Sequence, residues 1–247
     1  MNRYIGQRAI VTGANGGLGR TVVGLLRAEG AEVIGIDLVG EGCMGVDVAD
    51  APAVSRCIKE VLNGGPIQIL VTCAGINVQH GFESTTPDEW QRVMNINASG
   101  TYNAMRSVLP MMRSEGYGRV VTIGSIAADF GYTFPAYAAS KAAVIALTRT
   151  AAVQYAEYGV TVNCVSPGRI DTALAPGGTL SELRTRIPVG RAAKPQEIAA
   201  TIAFLASRDS SYVNGANIVC DGAMSVVFSL HGFGPYSELT DAMSCRE

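Results

Sequence analysis

Tyr137 and Lys141 have the residue types and the spacing of a proton-transfer pair. They are four residues apart in a predicted helix, so both side chains lie on one face. A free tyrosine, with a pKa of about 10, is a poor base near neutral pH, but an ammonium group beside it in a closed site favours the phenolate. Lowering that pKa by about two to three units needs about 3–4 kcal/mol of differential interaction. A solvated tyrosine–lysine pair on a helix surface has the same spacing, so other residues must distinguish a catalytic pair from a solvated one.

Ser125 follows a predicted strand and lies 12 residues before Tyr137. A loop of that length can return the tyrosine to the serine, whose hydroxyl can then donate to a substrate carbonyl oxygen. The alternative is a serine that caps a helix or a turn. Taken on its own, Ser125 is better explained as a cap.

The segment from Thr12 to Gly19 places Gly13, Gly17 and Gly19 between a predicted strand and a predicted helix. Glycines let the backbone turn tightly and approach a pyrophosphate, which then meets the free N–H groups and the positive dipole end of the helix. Their spacing differs from the usual G-x-G-x-x-G, and a glycine-rich turn can also reflect tight packing alone. The position at the first strand–helix junction favours dinucleotide binding.

Asp37 ends the second predicted strand. A carboxylate there can accept hydrogen bonds from both ribose hydroxyls of NAD, and it would repel a 2′-phosphate. No basic residue stands beside Asp37, and Asn15-Gly16 adds none to the glycine turn. An ordinary loop aspartate is the alternative, but the glycine turn favours a cofactor contact. The sequence therefore predicts NAD rather than NADP.

Short apolar runs alternate with helical patterns along the whole chain, which predicts a single-domain α/β fold of the Rossmann type. Its doubly wound parallel sheet would be buried on both faces and bind ligands beyond the carboxyl ends of its strands. The predicted strands are 9–11, 33–36, 45–46, 67–71, 119–123, 160–165 and 217–219, and the predicted helices are 18–29, 51–62, 87–112, 136–158 and 195–206.

Composition limits the classes of function. Of the 247 residues, 48% are hydrophobic and 16% are charged, which excludes a disordered chain, and a net charge of -2 gives no basic field for nucleic acid or anionic membrane. No apolar run is long enough to span a membrane, and the start of the chain lacks a signal-peptide pattern. Six scattered cysteines favour a reduced, cytoplasmic protein. His80 and His231 are too distant in sequence to suggest a metal site.

Further motifs stand at regular places along the chain. Asp47-Val48 follows the third predicted strand, Cys73-Ala74-Gly75 the fourth, and Pro167-Gly168 the sixth, while Asn97 lies in the long helix. The segments Tyr212-Val213-Asn214-Gly215 and Asp221-Gly222 come last. With the glycine turn, Ser125 and the Y-x-x-x-K pair, they resemble the classical short-chain dehydrogenases/reductases over about residues 5 to 223.

The resemblance implies roles for individual residues. The catalytic tetrad would be Asn97, Ser125, Tyr137 and Lys141, with Asn97 anchoring a water that relays the proton from Lys141. The implied cofactor contacts are Gly13, Asn15, Gly17, Leu18, Gly19, Asp37, Asp47, Val48, Ala74, Gly75, Tyr137, Lys141, Pro167, Gly168, Ile170 and Thr172. The family also implies a homotetramer with the two long helices at one interface, where Ala142, Ala143, Ala146, Ala151 and Ala152 would permit close approach.

Three features depart from the family pattern. Thr72-Cys73 replaces the two asparagines of N-N-A-G, which removes a residue that stabilises the central sheet. Only nine residues separate Asp37 from Asp47, where the family usually has a helix. The chain also continues for 24 residues beyond 223, so we expect a catalytic domain over 1–223 and an extension over 224–247. That extension either packs on its own subunit or is partly disordered, which is the interpretation we favour, or it crosses a subunit interface and lines a neighbour's pocket.

The expected function is NAD(H)-dependent interconversion of a secondary alcohol and a ketone, with Tyr137 as the acid–base group. The alternatives are an NAD-sensing regulator without turnover and an NAD-bound epimerase or dehydratase. Phe130, Tyr132 and Phe134 predict an apolar wall for the substrate, which suggests a ring or a small hydrophobic frame. Possible carboxylate contacts are Arg169, Arg184 and Arg186.

Overall fold

The computed structural model describes residues 2–40, 42–172 and 186–226 and contains the predicted parallel sheet. All of its strand pairs are parallel, and the strand order is β3-β2-β1-β4-β5-β6-β7. The strands β4, β5 and β6 are buried along their whole length, as expected for apolar runs with helices on both faces. The strands are β1 Arg8–Thr12, β2 Glu32–Asp37, β3 Cys43–Gly45, β4 Ile69–Thr72, β5 Gly118–Ile123, β6 Val160–Pro167 and β7 Asn217–Cys220.

Helices cover both faces of the sheet and divide the hydrophobic core into two clusters. Along β1, Ala9 and Val11 belong to one cluster and Ile10 to the other, because successive side chains of a strand point to opposite faces. The helices are α1 Gly17–Ala28, α2 Ala51–Leu62, α3 Pro87–Met94, α4 Gly100–Glu115, α5 Pro135–Tyr155 and α6 Pro195–Ala206. The first cluster lies under α1 and α6, and the second under α2 and α4.

The strand order reverses at β1, which pairs with β2 on one side and with β4 on the other. The crevice above such a reversal is where open α/β sheets bind their ligands. The carboxyl ends of these three strands carry Thr12, Asp37 and Thr72. The glycine turn, the aspartate and the segment that follows β4 therefore meet at one edge of the sheet.

The helical segment predicted over 87–112 extends beyond residue 112 and is interrupted. A π-helical turn over Asn95–Ser99 separates α3 from α4. The predicted start is confirmed, since the Thr86 hydroxyl accepts the Glu89 N–H at 3.2 Å and the Glu89 carboxylate accepts the Thr86 N–H at 3.0 Å. Pro110, which could have ended the helix, lies on the exposed side of α4, and the helix continues to Glu115.

The lobe between β2 and β3 is reduced, as the short spacing predicted. A turn replaces the usual helix, and β3 is three residues long. Gly40 has a φ of 131° and Gly42 a φ of 74° in this turn, so the chain reverses at positions that only glycine adopts without strain.

The proposed extension lies mostly outside the described residues. The chain that leads into it forms a turn in which the Asp221 carboxylate accepts the N–H groups of Ala223 and Ser225 at 3.0 and 2.6 Å. Within the described ranges, no helix is long and apolar enough to cross a membrane, and no cluster of side chains is suited to hold a metal ion. His80 is half exposed and pairs with Glu89, with 3.0 Å between Nδ1 and Oε1, and His231 falls outside the described ranges.

Candidate active site

The glycine turn after β1 packs against the chain that leaves β4. Gly13 has a φ of 65°, and a Cβ there would lie 2.6 Å from the Ala74 amide nitrogen, so a larger residue does not fit. A Cβ on Gly19 would overlap the Gly13 carbonyl oxygen. No side chain caps the start of α1 at Gly16, so the first N–H groups of the helix stay available at the sheet edge. The turn therefore has the close backbone and the free donors that a pyrophosphate requires.

The segment after β6 lies across this turn. A Cβ on Gly17 would lie 3.0 Å from the Thr172 Cγ2, which places Thr172 beside the start of α1. The chain before it is held by Ala193, whose N–H donates to the Arg169 carbonyl at 2.9 Å and whose own carbonyl accepts the Asp171 N–H at 3.0 Å. Thr172, one of the predicted contacts after Pro167, is thus brought to the glycine turn.

The Asp37 carboxylate is held by two backbone donors. Its Oδ2 accepts the Asn15 N–H at 2.9 Å, and its Oδ1 accepts the Leu38 N–H at 2.7 Å. Asp47 lies at the end of the neighbouring strand, where its Oδ1 accepts the Ala49 N–H at 2.9 Å. Both carboxylates keep lone pairs for a further donor.

Sequence reasoning missed one cation near the glycine turn. Arg20, one helical turn into α1, donates from Nη2 to the Asn15 carbonyl at 3.1 Å. Arg20 adds a positive charge beside a turn in which neither Asn15 nor Gly16 supplies one. The signal was the position of Arg20 directly after Gly19, because a long side chain in the first turn of a helix can reach back to the loop before it.

The π-helical turn presents Asn97, which is fully buried. Its Oδ1 accepts the Ile76 N–H at 2.8 Å, while its Nδ2 donates to the Ile76 carbonyl and to the Ser140 hydroxyl, both at 2.9 Å. Ser140 in turn donates to the Tyr137 carbonyl at 2.7 Å. Asn97 therefore joins the segment after β4 to the first turns of α5. Such π-turns occur frequently at functional sites.

Lys141 is 5% exposed, and its Nζ donates to the Ile123 carbonyl at 2.8 Å. Nζ also lies 5.6 Å from the centre of the Tyr137 ring. Burial lowers the lysine pKa to about 8, although the nearby thiols of Cys164 and Cys73 oppose the shift. Among the described residues, no carboxylate forms an ion pair with this amine.

Burial raises the pKa of Tyr137, and a hydrogen bond from Ser125 opposes the rise. The direction is opposite to the lowering that we expected from Lys141. In the protein alone, desolvation of the phenolate outweighs any benefit from the neighbouring amine. Ser125 also accepts the Ala127 N–H at 3.2 Å, so the serine caps a short helical turn as well as reaching the tyrosine.

An aromatic wall stands beside Tyr137. The Tyr132 ring lies 5.9 Å from the Tyr137 ring and meets Phe134 edge-on at 5.2 Å between centroids. Burial raises the pKa of Tyr132, while a hydrogen bond from Asn77 and the charge of Arg169 oppose the rise. Of the other arginines considered, Arg186 is exposed and Arg184 lies outside the described ranges.

The strand end before Cys73 contains a buried hydroxyl without a partner. Thr72, which replaces the first asparagine of the family motif, is 2% exposed, and its Oγ1 has no hydrogen-bond partner. Burial raises the pKa of the Cys73 thiol to about 12, so this cysteine fills space rather than reacts.

We expect Thr72→Val to stabilise the protein. Valine keeps the shape and removes an unpaired hydroxyl whose burial costs about 1–3 kcal/mol, so the melting temperature should rise by about 2–6 °C. Thr12→Val is the matched control, because Thr12 is equally buried but its Oγ1 accepts the Ala74 N–H at 3.4 Å. A lower melting temperature for Thr72→Val, measured by calorimetry, would contradict the assignment.

Comparison with known proteins agrees with this geometry. A family model described as enoyl-(acyl carrier protein) reductase matches residues 13–225. The 3-oxoacyl-[acyl-carrier-protein] reductase FabG of Vibrio harveyi is 34% identical over 244 residues, which cover 90% of this chain and 98% of that protein. The fold is similar to levodione reductase, with a TM-score of 0.87, 29% identity, and coverage of 92% of this chain and 100% of the other.

A third relative was solved with a dinucleotide. Gluconate 5-dehydrogenase from Burkholderia cenocepacia, in complex with NADP and tartrate, has a TM-score of 0.84 and 28% identity, and the match covers 91% of this chain and 97% of the other. The family match spans most of the chain, and the glycine turn, the π-turn asparagine and the Tyr137–Lys141 pair stand at one sheet edge. The chain is therefore a nicotinamide-dependent oxidoreductase of the classical short-chain dehydrogenase/reductase family.

Proposed function

We propose that this chain interconverts a secondary alcohol and a ketone with NAD(H). The observation that carries the proposal is the chain of contacts through Asn97, Ser140, Tyr137 and Lys141, with Ser125 bonded to the tyrosine. These groups stand at the carboxyl edge of the sheet, beside a glycine turn whose backbone suits a pyrophosphate. The arrangement supplies a base, a cation and a hydroxyl donor within one crevice.

Each of these side chains has a separate role. In oxidation, Tyr137 takes the proton of the substrate hydroxyl as general base, and Ser125 donates to the same oxygen. Lys141 holds a cofactor ribose and supplies positive charge near the phenol. Asn97 holds the α5 start in place through Ser140. The family resemblance implies that Asn97 also anchors the water by which the proton leaves Lys141. A nicotinamide bound in this crevice would supply the hydride chemistry at the carbinol carbon.

Because the pKa of Tyr137 is raised in the protein alone, the mechanism needs a further positive charge that lowers it, and the oxidised cofactor carries one. Burial holds the phenol in its protonated form. The positive charge of an oxidised nicotinamide would favour the phenolate. We therefore expect Tyr137 to become a competent base when the oxidised cofactor is bound, and oxidation to quicken as pH rises.

The cofactor preference rests on Asp37. A second negative charge beside this carboxylate would be repelled, whereas a ribose hydroxyl can donate to it. Two observations favour NADP instead: Arg20 reaches the glycine turn, and gluconate 5-dehydrogenase was solved with NADP. We give Asp37 more weight, because its carboxylate stands at the end of β2, where dinucleotide-binding folds hold the ribose hydroxyls, whereas Arg20 lies in α1.

The substrate would be a ketone or alcohol on a ring or a small hydrophobic frame. Tyr132 and Phe134 form an aromatic surface next to Tyr137, and Phe130 is 49% exposed nearby in sequence. Aromatic faces of this kind bind rings by offset or edge-on contact.

A panel of secondary alcohols, with NAD and NADP in parallel, tests this function by the absorbance of the reduced nicotinamide. We expect reduction of NAD, fastest with cyclic or compact apolar alcohols. Reduction of NADP alone would contradict the cofactor preference. Tight binding of NAD without reduction by any alcohol would favour the sensor.

We also propose a homotetramer in the cytoplasm, with catalytic residues over 1–223 and an extension over 224–247. Ala142, Ala146 and Val153 are exposed along one stripe of α5, which leaves room for a neighbouring helix. Ala151 and Ala152 are 7% and 4% exposed in the single chain, so their small size serves packing within the subunit instead. Sedimentation equilibrium should give four times the mass of the chain, and a monomer would contradict the assembly.

A further inference from the structure

Asn15 connects the glycine turn to the short turn between β2 and β3. Its side chain Nδ2 donates to the Val39 carbonyl at 2.7 Å, and its backbone N–H donates to the Asp37 Oδ2 at 2.9 Å. The same residue therefore holds both the carboxylate and the chain that leaves it. We call these two hydrogen bonds the Asn15 clasp.

Little apolar packing holds the β2–β3 turn. Leu38 is 62% exposed and Val39 is 78% exposed, so both hydrophobic side chains of the turn lie largely in solvent. The described residues between β2 and β3 contain no helix, so this segment lacks the buried helix face that would anchor it. Polar contacts must therefore fix the position of the turn, and the Asn15 side chain provides one across 24 residues of sequence.

Gly40 leaves space for the clasp. A Cβ at this position would overlap the Asn15 Nδ2, and the φ of 131° already excludes most other residues. Any side chain on Gly40 would displace the Asn15 amide from the Val39 carbonyl. Gly42 also has a positive φ, of 74°, but a Cβ there would meet nothing within 4 Å.

The clasp determines where the Asp37 carboxylate points. Its two donors, the N–H groups of Asn15 and Leu38, belong to the two turns that the clasp joins. If the turns separate, the carboxylate loses the Asn15 donor and keeps only the N–H of the adjacent Leu38, so Asp37 becomes free to rotate toward solvent.

We propose that Asn15 is a positioning residue that sets the choice between NAD and NADP by fixing the Asp37 carboxylate. The inference rests on the proposed cofactor preference. A fixed carboxylate accepts hydrogen bonds from a ribose and repels a 2′-phosphate, whereas a rotated one does neither well. Loss of the clasp should weaken NAD binding more than NADP binding.

Titration calorimetry of purified Asn15→Ala and Gly40→Ala with NAD and with NADP tests this inference. We expect the ratio of the Kd for NADP to the Kd for NAD to fall about five- to tenfold in both variants, about the effect of one hydrogen bond. The melting temperature of each variant shows that it is folded. Gly42→Ala is the matched control, because it strains the same turn without touching Asn15, and its ratio should stay within about twofold of wild type.

The outcomes separate the two proposals. A wild-type chain that binds NADP more tightly than NAD overturns the cofactor preference before any variant is made. A wild-type chain that prefers NAD, with ratios unchanged in Asn15→Ala and Gly40→Ala, overturns the clasp alone. An equal weakening of both cofactors in the two variants also overturns it, because a purely structural role has that effect.

Discussion

Tyr137→Phe should reduce kcat by about a thousandfold or more, in the range that a lost acid–base group causes. The phenol is the group bonded to Ser125, and its ring lies 5.6 Å from the Lys141 Nζ, so no other described side chain has the same place in the crevice. Phenylalanine keeps the ring and its packing against Tyr132. Binding of NADH, measured by fluorescence titration, should therefore stay within about threefold of wild type.

Tyr155→Phe is the matched control for this experiment. Tyr155 lies at the end of the same helix and packs edge-on against Tyr158, at 6.5 Å between ring centroids. Its turnover should equal that of wild type. Wild-type kcat in Tyr137→Phe would remove the tyrosine from the mechanism, and loss of NADH binding would show that the variant had damaged the site instead.

Lys141→Met should stabilise the folded protein while abolishing most turnover. Burial lowers the lysine pKa from 10.5 to about 8, so holding the ammonium in the folded state costs about 3 kcal/mol below that pH. Methionine fills a similar volume without charge, although it loses the hydrogen bond to the Ile123 carbonyl. The net gain in the free energy of unfolding at pH 7 should be about 1–2 kcal/mol.

The pH dependence of the free energy of unfolding tests whether the buried Lys141 ammonium causes this difference in stability. Below pH 8 the Lys141 amine is protonated in both the folded and the unfolded state, so the buried ammonium lowers the free energy of unfolding by its full amount. Between pH 8 and about 10.4 the folded lysine has lost its proton while the unfolded one keeps it, so the contribution of this residue to stability rises with pH. The buried Cys73 thiol, whose pKa is raised, opposes that rise in the same window, but it titrates alike in wild type and in Lys141→Met. In urea titrations, the stability advantage of Lys141→Met over wild type should therefore shrink as pH rises from 8 to about 10.4. Lys59→Met, on the exposed face of α2, is the control, and its difference from wild type should not change with pH. A constant difference between Lys141→Met and wild type would contradict the assignment.

The architecture could be predicted because its signals are local. Strand β4 is apolar at Ile69, Leu70 and Val71, so its sequence predicts burial on both faces. Asp37 and the glycines follow predicted strands, and parallel topology then brings them to one edge. The residues of the candidate site accordingly lie where the strand ends place them.

The features that sequence missed depend on contacts between distant residues. No local pattern in Asn95–Ser99 predicts a π-turn, and Asn97 acquires its place only through partners at Ile76 and Ser140. The raised pKa of Tyr137 reflects burial by the fold, which spacing on a helix does not reveal. The Asn15 clasp likewise joins two turns that have no common pattern.

Transfer of deuterium from substrate to cofactor tests the central claim most directly. The best alcohol of the panel would carry deuterium on its carbinol carbon, and the reduced cofactor would be analysed by mass spectrometry. The proposed mechanism predicts one deuterium on the nicotinamide, with a ketone formed in equal amount. Deuterium retained in a product of unchanged oxidation state would indicate an epimerase or dehydratase, and an oxidised cofactor with every alcohol would leave only a binding role.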